Sequence, residues 1–250
     1  MKMLPQSANV PLTLLRAERK VAIMQPYLLP YIGYFQLIAA ADCFIVYDQI
    51  KYTKKGWINR NRLLLNGAAA TFSLPLKNDP DHLSVVQRHL AADFNRSKLL
   101  NQFRGAYQRA PCFNQIYPLL ERIIRHDDDN LFRYLHHSIR EICAYLAIDT
   151  EICISSTVDI DHDLKAQYKV IALCQAMHAD EYINPIGGLE LYDRADFLSH
   201  GIRLNFLKSW LSEYPQHGAP FVPGLSIIDV LMFNSPDTAR QRIHSDFEIL

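Results

Sequence analysis

The chain lacks both a net charge and a long apolar run. Its 250 residues contain 26 lysines and arginines against 26 acidic residues. This balance excludes the overall positive field of most nucleic-acid-binding proteins. No apolar run approaches the about 18 residues that a membrane-spanning helix needs. We therefore expect a cytoplasmic protein with no nucleic-acid partner and no membrane span, in which any anion site is local.

Cysteine is present, but the patterns that bind metal ions or form a disulfide framework are missing. The five cysteines are scattered along the chain, and no two of them form a CxxC pair. An odd number of cysteines in a chain of this size favours free thiols in a reducing compartment. We expect neither a metal ion nor a cofactor.

The N-terminus also lacks the features of a targeting sequence. Its short apolar patch is broken by Pro11, and no small-residue cleavage site follows. Residues 1–20 are therefore interpreted as an untargeted extension, and residues 21–250 as a single α/β domain.

Alternating strand and helix patterns predict a mainly parallel, Rossmann-like sheet. The strand Val21–Met24 is followed by a proline-containing loop, Gln25–Pro30, then a helix from about Pro30 and a strand at Asp42–Tyr47. This arrangement is a βαβ unit. Apolar residues at helical spacing over about 95–146 predict an inserted helical segment. The later predicted strands are at 151–154, 181–183 and 202–207. The later predicted helices are at 164–177, at 191–199 and from Ser226. Asp229, three residues after Ser226, completes a capping box for the last helix.

A β-hairpin interrupts the α/β pattern. Asn66-Gly67 supplies the positive φ angles of a two-residue type I′ turn between the segments Trp57–Leu65 and Ala68–Leu76. This turn sets the pairing of the two strands, and alternate residues lie on opposite faces. The predicted pairs are Arg60 with Ser73 and Arg62 with Thr71, with Asn59 and Asn61 on the other face.

Several long segments resemble the signature of the WbqC-like family. They are Met24–Gly67, Ser155-Ser156, Ile183–Asp193 and Phe221–Asn234. The family is associated with bacterial surface-polysaccharide (O-antigen) biosynthesis. The resemblance implies a transferase that adds an acyl or aminoacyl group to a nucleotide-linked amino sugar, with a nucleotide-linked sugar or an acyl carrier as partner. A non-catalytic sugar-nucleotide-binding or scaffolding protein is the alternative.

A looser resemblance connects Tyr31-Ile32-Gly33-Tyr34 with the HxGH nucleotidyltransferases. In those enzymes this position opens the first helix of a similar strand, loop and helix layout, and its two histidines brace the phosphates in the transition state. Both histidines are tyrosines here, and a tyrosine carries no positive charge at neutral pH. The layout of the fold is therefore retained, whereas adenylyl transfer is disfavoured.

A local excess of positive charge lies between Gln49 and Asn78, where six cations and no acid occur. Arg60 and Arg62 share one strand face, so they can bind a phosphate or carboxylate together. Alternatively, the cations protect an exposed sheet edge from aggregation.

Polar residues after the predicted strands are expected to meet at one edge of the sheet. Asp48 is the candidate general base, and Lys55 is its candidate catalytic partner or, alternatively, its structural ion-pair partner. Gly187-Gly188 follows a strand and can either bind phosphate or form a simple turn. The predicted substrate-binding residues are Gln25, Pro26, Tyr27, Tyr31, Tyr34, Trp57, Asn59, Arg60, Asn61, Arg62, Ser155, Ser156, Asn184, Gly187 and Gly188.

Overall fold

A computed structural model describes residues 17–218 and 220–250, and most of the predicted N-terminal extension lies outside this range. The described part contains eight strands, numbered in chain order. They are β1 (Lys20–Met24), β2 (Cys43–Val46), β3 (Arg60–Leu65), β4 (Ala68–Ser73), β5 (Glu151–Ile154), β6 (Glu181–Pro185), β7 (Arg203–Ser209) and β8 (Phe247–Ile249).

Eight α-helices accompany these strands in the described residues. They are α1 (Ile32–Ala39), α2 (Arg96–Tyr107), α3 (Phe113–Ile124), α4 (Leu131–Leu146), α5 (Ala166–Ala176), α6 (Arg194–Ser199), α7 (Ile227–Phe233) and α8 (Pro236–Ser245). Short 3-10 helices cover Val85–Gln87, Ser155–Thr157 and Ile186–Leu191. Within the described residues, none of the helices combines the length and apolarity needed to span a bilayer.

The six-stranded sheet confirms the predicted α/β class. Its strand order is β5-β2-β1-β6-β7-β8, and every pair is parallel except β7 with β8. The order reverses at β1, because β2 and β5 lie on one side of it and β6 and β7 on the other. Ligands of such sheets bind beyond the carboxyl ends of the strands at the point of reversal.

Helices cover both faces of this sheet. All four residues of β2 are buried, as expected for a parallel strand packed on two sides. Ala22 and Phe44 belong to the larger core, which includes α1 and α2–α4, while Val21 and Ile45 belong to the smaller core beneath α5 and α6. Alternating residues of one strand therefore supply both cores.

The hairpin has the predicted turn and register. Asn66 has φ of 51° and Gly67 has φ of 77°, as a type I′ turn requires. Arg60 pairs with Ser73 and Arg62 with Thr71. On the other face Phe72 packs on Phe103 of α2, with ring centroids 4.8 Å apart. The hairpin is therefore joined to the inserted helices α2–α4 and forms a separate two-stranded sheet.

One predicted helix begins later than expected, and one strand was missed. The helix predicted over 191–199 is divided, because the Asp193 carboxylate accepts a hydrogen bond from the Ala195 amide (2.8 Å) and α6 begins only after it. The edge strand β8 was not predicted, since its three residues are too few to show an alternating pattern.

Asp229 has a different role from the predicted capping box. Ser226 does cap α7, since its side chain accepts from the Ile228 amide (3.3 Å). The carboxylate of Asp229 is instead buried and accepts hydrogen bonds from Tyr107 (2.9 Å), Tyr214 (2.6 Å) and Gln216 (2.8 Å). The Tyr107 hydroxyl also accepts from the Leu64 amide (2.9 Å). One buried acid thus connects the hairpin, α2, α7 and the loop before α7.

We expect Asp229→Ala to lower the free energy of unfolding by about 3 kcal/mol or more, because it leaves buried hydroxyl and amide donors without an acceptor. Tyr214→Phe removes one donor only and should cost about 1 kcal/mol. Urea unfolding followed by circular dichroism measures both. Equal losses for the two variants would contradict the view that Asp229 holds several elements together.

Candidate functional site

A large cleft lies beside the sheet at the point where the strand order reverses. Its volume is about 790 Å³, within the range of about 300–1,000 Å³ that is typical of ligand pockets. The ends of β1, β2 and β6 contribute Met24, Tyr47 and Pro185, and the start of α5 forms another wall. Five of the predicted site residues also line it: Gln25, Tyr27, Asn184, Gly187 and Gly188.

Three lysines make this cleft basic. Lys51, Lys165 and Lys169 line it, and no acidic side chain is among the described residues of its wall. Lys51 belongs to the predicted basic stretch, but Lys165 and Lys169 were not predicted as site residues. They are four residues apart in the helix predicted over 164–177, a spacing that places two side chains on the same side of a helix. In the structure Lys165 is the N-cap residue, with an extended backbone, and Lys169 lies in the first turn of α5. That spacing was the available signal, and the sequence-based argument did not use it.

Lys169 is the most unusual of the three, because its side chain is largely buried. Its ammonium donates a hydrogen bond to the His162 carbonyl oxygen (2.8 Å) and lies 5.5 Å from the centroid of the Tyr47 ring. Burial lowers the pKa of Lys169, and the nearby Lys165 lowers it further, while Asp48 acts in the opposite direction. At a given pH, a larger fraction of Lys169 is therefore in the neutral amine form than for an exposed lysine.

Asp48 lies at the expected end of the sheet but faces away from the cleft. It is buried, and its Oδ1 accepts from the Ser155 hydroxyl (2.6 Å) and from the Ser156 amide (3.0 Å). These contacts bind the end of β2 to the segment after β5. The ion pair with Lys55 is absent from the described contacts of Asp48, and Lys55 is exposed in the loop before β3. Asp48 and the two serines thus stabilise the strand ends beside the cleft without lining it.

The two glycines lie inside the 3-10 helix Ile186–Leu191, not at the start of an α-helix as predicted. A Cβ atom at Gly188 would lie 2.0 Å from Nδ2 of Asn184, whereas one at Gly187 would meet open space. Asn184 is itself held by the Tyr182 hydroxyl, which donates to its Oδ1 (3.0 Å). Gly188 therefore makes room for a buried amide, and Gly187 exposes backbone to the cleft.

A smaller cavity of about 280 Å³ adjoins the cleft, and Tyr27 lines both. Its wall includes Tyr31, Trp57 and Arg62. The Cζ atoms of Arg60 and Arg62 lie 5.9 Å and 5.3 Å from the centroid of the Trp57 ring, within cation–π distance. The two arginines therefore lie side by side as the hairpin register predicts, and Trp57 packs against both.

Several predicted ligand contacts instead support the loop that carries Tyr27. The Tyr34 hydroxyl is buried and donates to the Gln25 carbonyl oxygen (3.1 Å). The Asn61 amide donates to the carbonyl oxygens of Leu28 (3.0 Å) and Leu29 (2.8 Å). Asn59 likewise accepts from Tyr52 and donates to the Leu74 carbonyl oxygen, and Pro26 is buried. Tyr34 and Asn61 thus satisfy backbone oxygens of this buried loop, with Asn61 also lining the smaller cavity, whereas Asn59 joins the two segments of the hairpin.

All five cysteines are free thiols in this structure. Cys43 and Cys153 come from neighbouring strands, and their sulfur atoms lie 3.7 Å apart. Burial, together with the neighbouring Cys43 and Glu151, raises the pKa of Cys153 to about 12. Both oxygens of Glu151 have partners, since Oε1 accepts from Cys153 and Oε2 from Arg19. The thiols are therefore protonated at neutral pH and pack within the sheet.

Comparison with known proteins confirms the resemblance seen in the sequence. The model of the WbqC-like protein family matches residues 25–241. The chain belongs to that family. A relative from Mycobacterium tuberculosis is 30% identical over 229 residues, which cover 89% of this chain and 98% of the relative. That relative is described as an uncharacterized protein. No solved structure matches the chain significantly.

The two glycines offer a matched pair of substitutions. We expect Gly188→Ala to lower the free energy of unfolding by about 1–3 kcal/mol, because the new methyl group displaces the buried Asn184 amide. Gly187→Ala should change it by less than about 0.5 kcal/mol. Thermal and urea unfolding of both variants measure the difference. Equal stability of the two variants would contradict the close packing of Gly188 on Asn184.

Proposed function

We propose that the protein binds a nucleotide-linked amino sugar in the basic cleft and transfers an acyl or aminoacyl group to its amine. The reaction would belong to bacterial surface-polysaccharide biosynthesis, as the resemblance to the WbqC-like family implies. The observation that carries the proposal is the position of three lysines, unopposed by acids in the described wall, beyond the strand ends where the sheet order reverses.

Phosphate is the ligand group that best fits this wall. Lys51 and Lys165 are exposed at the cleft, where their ammonium groups can approach a diphosphate from two sides. Gly187 leaves backbone accessible without a side chain in the way. Gln167, at the start of α5, accepts a hydrogen bond from the Asp193 amide (3.1 Å) and so holds α5 against the segment that follows the glycines. The two walls that would contact the phosphates are therefore fixed relative to each other.

Lys169 supplies the chemistry that Asp48 cannot supply from its buried position. When the amine of the acceptor sugar attacks an acyl carbon, a C–N bond forms, the bond to the carrier breaks, and the attacking nitrogen must lose a proton. A lysine whose pKa is lowered by burial can take that proton as a general base. The carrier then leaves with the electron pair of the broken bond and takes up a proton from solvent.

A non-catalytic sugar-nucleotide-binding protein is the second candidate. One observation favours it: Asp48, the acid at the end of β2, is engaged by Ser155 and Ser156 and has no direct contact with the cleft. Adenylyl transfer of the HxGH type has less support. Tyr34, in place of the second histidine, is buried with its hydroxyl bound to a main-chain oxygen, so it cannot brace a phosphate.

Gly187 provides a test of phosphate binding with a matched control. We expect Gly187→Asp to abolish the rise in melting temperature that a UDP-linked amino sugar produces, because the new carboxylate repels the phosphates. Gly187→Asn introduces a side chain of the same shape without the charge, so it should retain most of the rise. Thermal shift and calorimetric titration measure both. Equal loss in the two variants would indicate a steric effect and contradict electrostatic recognition.

The pH dependence of transfer distinguishes the enzyme from the binding protein. With a UDP-linked amino sugar and a panel of acyl thioesters, the rate should rise with pH and level off above the lowered pKa of Lys169, because the neutral amine is the active form. Lys169→Arg keeps the charge but cannot lose its proton, so it should retain binding and lose transfer. A wild-type protein that binds the sugar nucleotide but transfers nothing from any donor would support the binding protein instead.

A further inference from the structure

We propose that the smaller cavity between Tyr31 and Trp57 binds the nucleobase of the ligand, while the phosphates occupy the basic cleft. The inference rests on the proposed function and names the part of the substrate that this second cavity recognises. A base with carbonyl oxygens, such as uracil or thymine, fits the observations described below.

The cavity presents aromatic surface that the fold leaves uncovered. Trp57 has 46% of its surface exposed and Tyr31 has 36%, whereas most aromatic side chains of the described chain are buried or half-buried. Pro30 and Leu211 add further apolar wall. A flat ring that stacks on such a surface removes apolar area from water on both sides of the contact.

The same cavity has unused hydrogen-bond donors at its edge. An arginine carries five N–H donors. Among the described contacts, the side chain of Arg62 donates one hydrogen bond, from Nη2 to the Gly224 carbonyl oxygen (3.1 Å). Arg60 stands beside Arg62 on the hairpin but is not part of the cavity wall, and its side chain donates one hydrogen bond, from Nε to the Gly56 carbonyl oxygen (2.8 Å). Arg62 forms no ion pair in the described part of the chain, so its remaining donors are available for the carbonyl oxygens of a base.

The loop that forms one wall is held in a strained shape. Leu29 has φ of 41°, a left-handed conformation that costs free energy for a branched side chain. Its carbonyl oxygen accepts hydrogen bonds from Asn61 (2.8 Å) and from the Ser226 hydroxyl (2.8 Å), which keep this conformation. Residues held in such conformations cluster at ligand sites. The hydrogen bonds that hold Leu29 in this conformation therefore also fix Tyr27, Pro30 and Tyr31 at the cavity.

Gly33, two residues after Tyr31, determines where the tyrosine ring can lie. A Cβ atom at Gly33 would lie 2.5 Å from atoms of the Tyr31 ring, so only glycine allows the ring to lie against the start of α1. The ring therefore lies over Gly33 and forms part of the cavity wall. This gives the glycine of the Tyr31-Ile32-Gly33-Tyr34 segment a physical role that does not require the histidines of the HxGH enzymes.

The size and position of the cavity agree with one ring of a larger ligand. Its volume of about 280 Å³ is close to the lower limit of typical ligand pockets, too small for a complete sugar nucleotide. Tyr27 lines both this cavity and the cleft of about 790 Å³. A nucleotide can therefore place its base in the smaller space and its phosphates among the lysines.

The two tryptophans of the chain allow a direct optical test. Trp210→Phe leaves Trp57 as the only tryptophan. We expect UDP to quench the fluorescence of this variant with a saturable curve, because the base stacks beside the indole, while inorganic pyrophosphate should bind without quenching. In Trp57→Phe, which retains only Trp210, UDP should cause no saturable change. Equal quenching in the two variants would overturn the assignment.

Calorimetric titration of Trp57→Ala gives an independent measurement. The variant should bind UDP at least about tenfold more weakly and pyrophosphate as tightly as the wild type does, since stacking on one aromatic contributes an effect of that size per base. Trp210→Ala is the matched control, because Trp210 is exposed to a similar extent (48%) and does not line the smaller cavity. It should leave both affinities unchanged.

The outcomes separate this inference from the proposed function. Unchanged UDP binding by Trp57→Ala would overturn the base site and leave phosphate binding in the cleft intact. Weaker binding of glucosamine 1-phosphate, with UDP unaffected, would assign the cavity to the sugar ring and also overturn the inference. A wild-type protein that binds neither UDP nor pyrophosphate would overturn both proposals.

Discussion

The reversal of strand order at β1 is the constraint on which the rest of the structure depends. Because β2 and β5 lie on one side of β1 and β6 and β7 on the other, the connections after β1 and β6 separate and leave a cleft between them. Helices on both faces bury the strands, so polar side chains can reach solvent mainly at the strand ends. The lysines of α5 and the glycines after β6 therefore face the same space.

The features predicted well from the sequence are those determined by short-range physics. The Asn66-Gly67 turn requires positive φ at two adjacent residues, and this requirement sets the register of the hairpin and the placement of Arg60 beside Arg62. The parallel sheet follows from strands separated by helices. The convergence of Gln25, Tyr27, Asn184 and Gly187 follows from the direction that parallel strands share.

The features that sequence reasoning missed depend on contacts between distant residues. Asn59 and Asn61 have the polar side chains of a binding site, but loop carbonyl groups that need donors engage both amides. Asp48 was predicted as a base, yet Ser155, 107 residues away, binds its carboxylate. Lys169 was not predicted, because its burial depends on the packing of α5 against β2. Local patterns identified the residue types around the two cavities but not which side chains line them.

The site is built from two structurally separate parts of the chain. The basic cleft belongs to the parallel sheet and α5, whereas the smaller cavity belongs to the hairpin, the loop before α1 and the segment before α7. Among the described residues of the two walls, Tyr27 alone is shared. Substitutions in the hairpin can therefore reshape the smaller cavity while the wall of the basic cleft remains as it is. The two cavities can therefore change independently of each other on one scaffold.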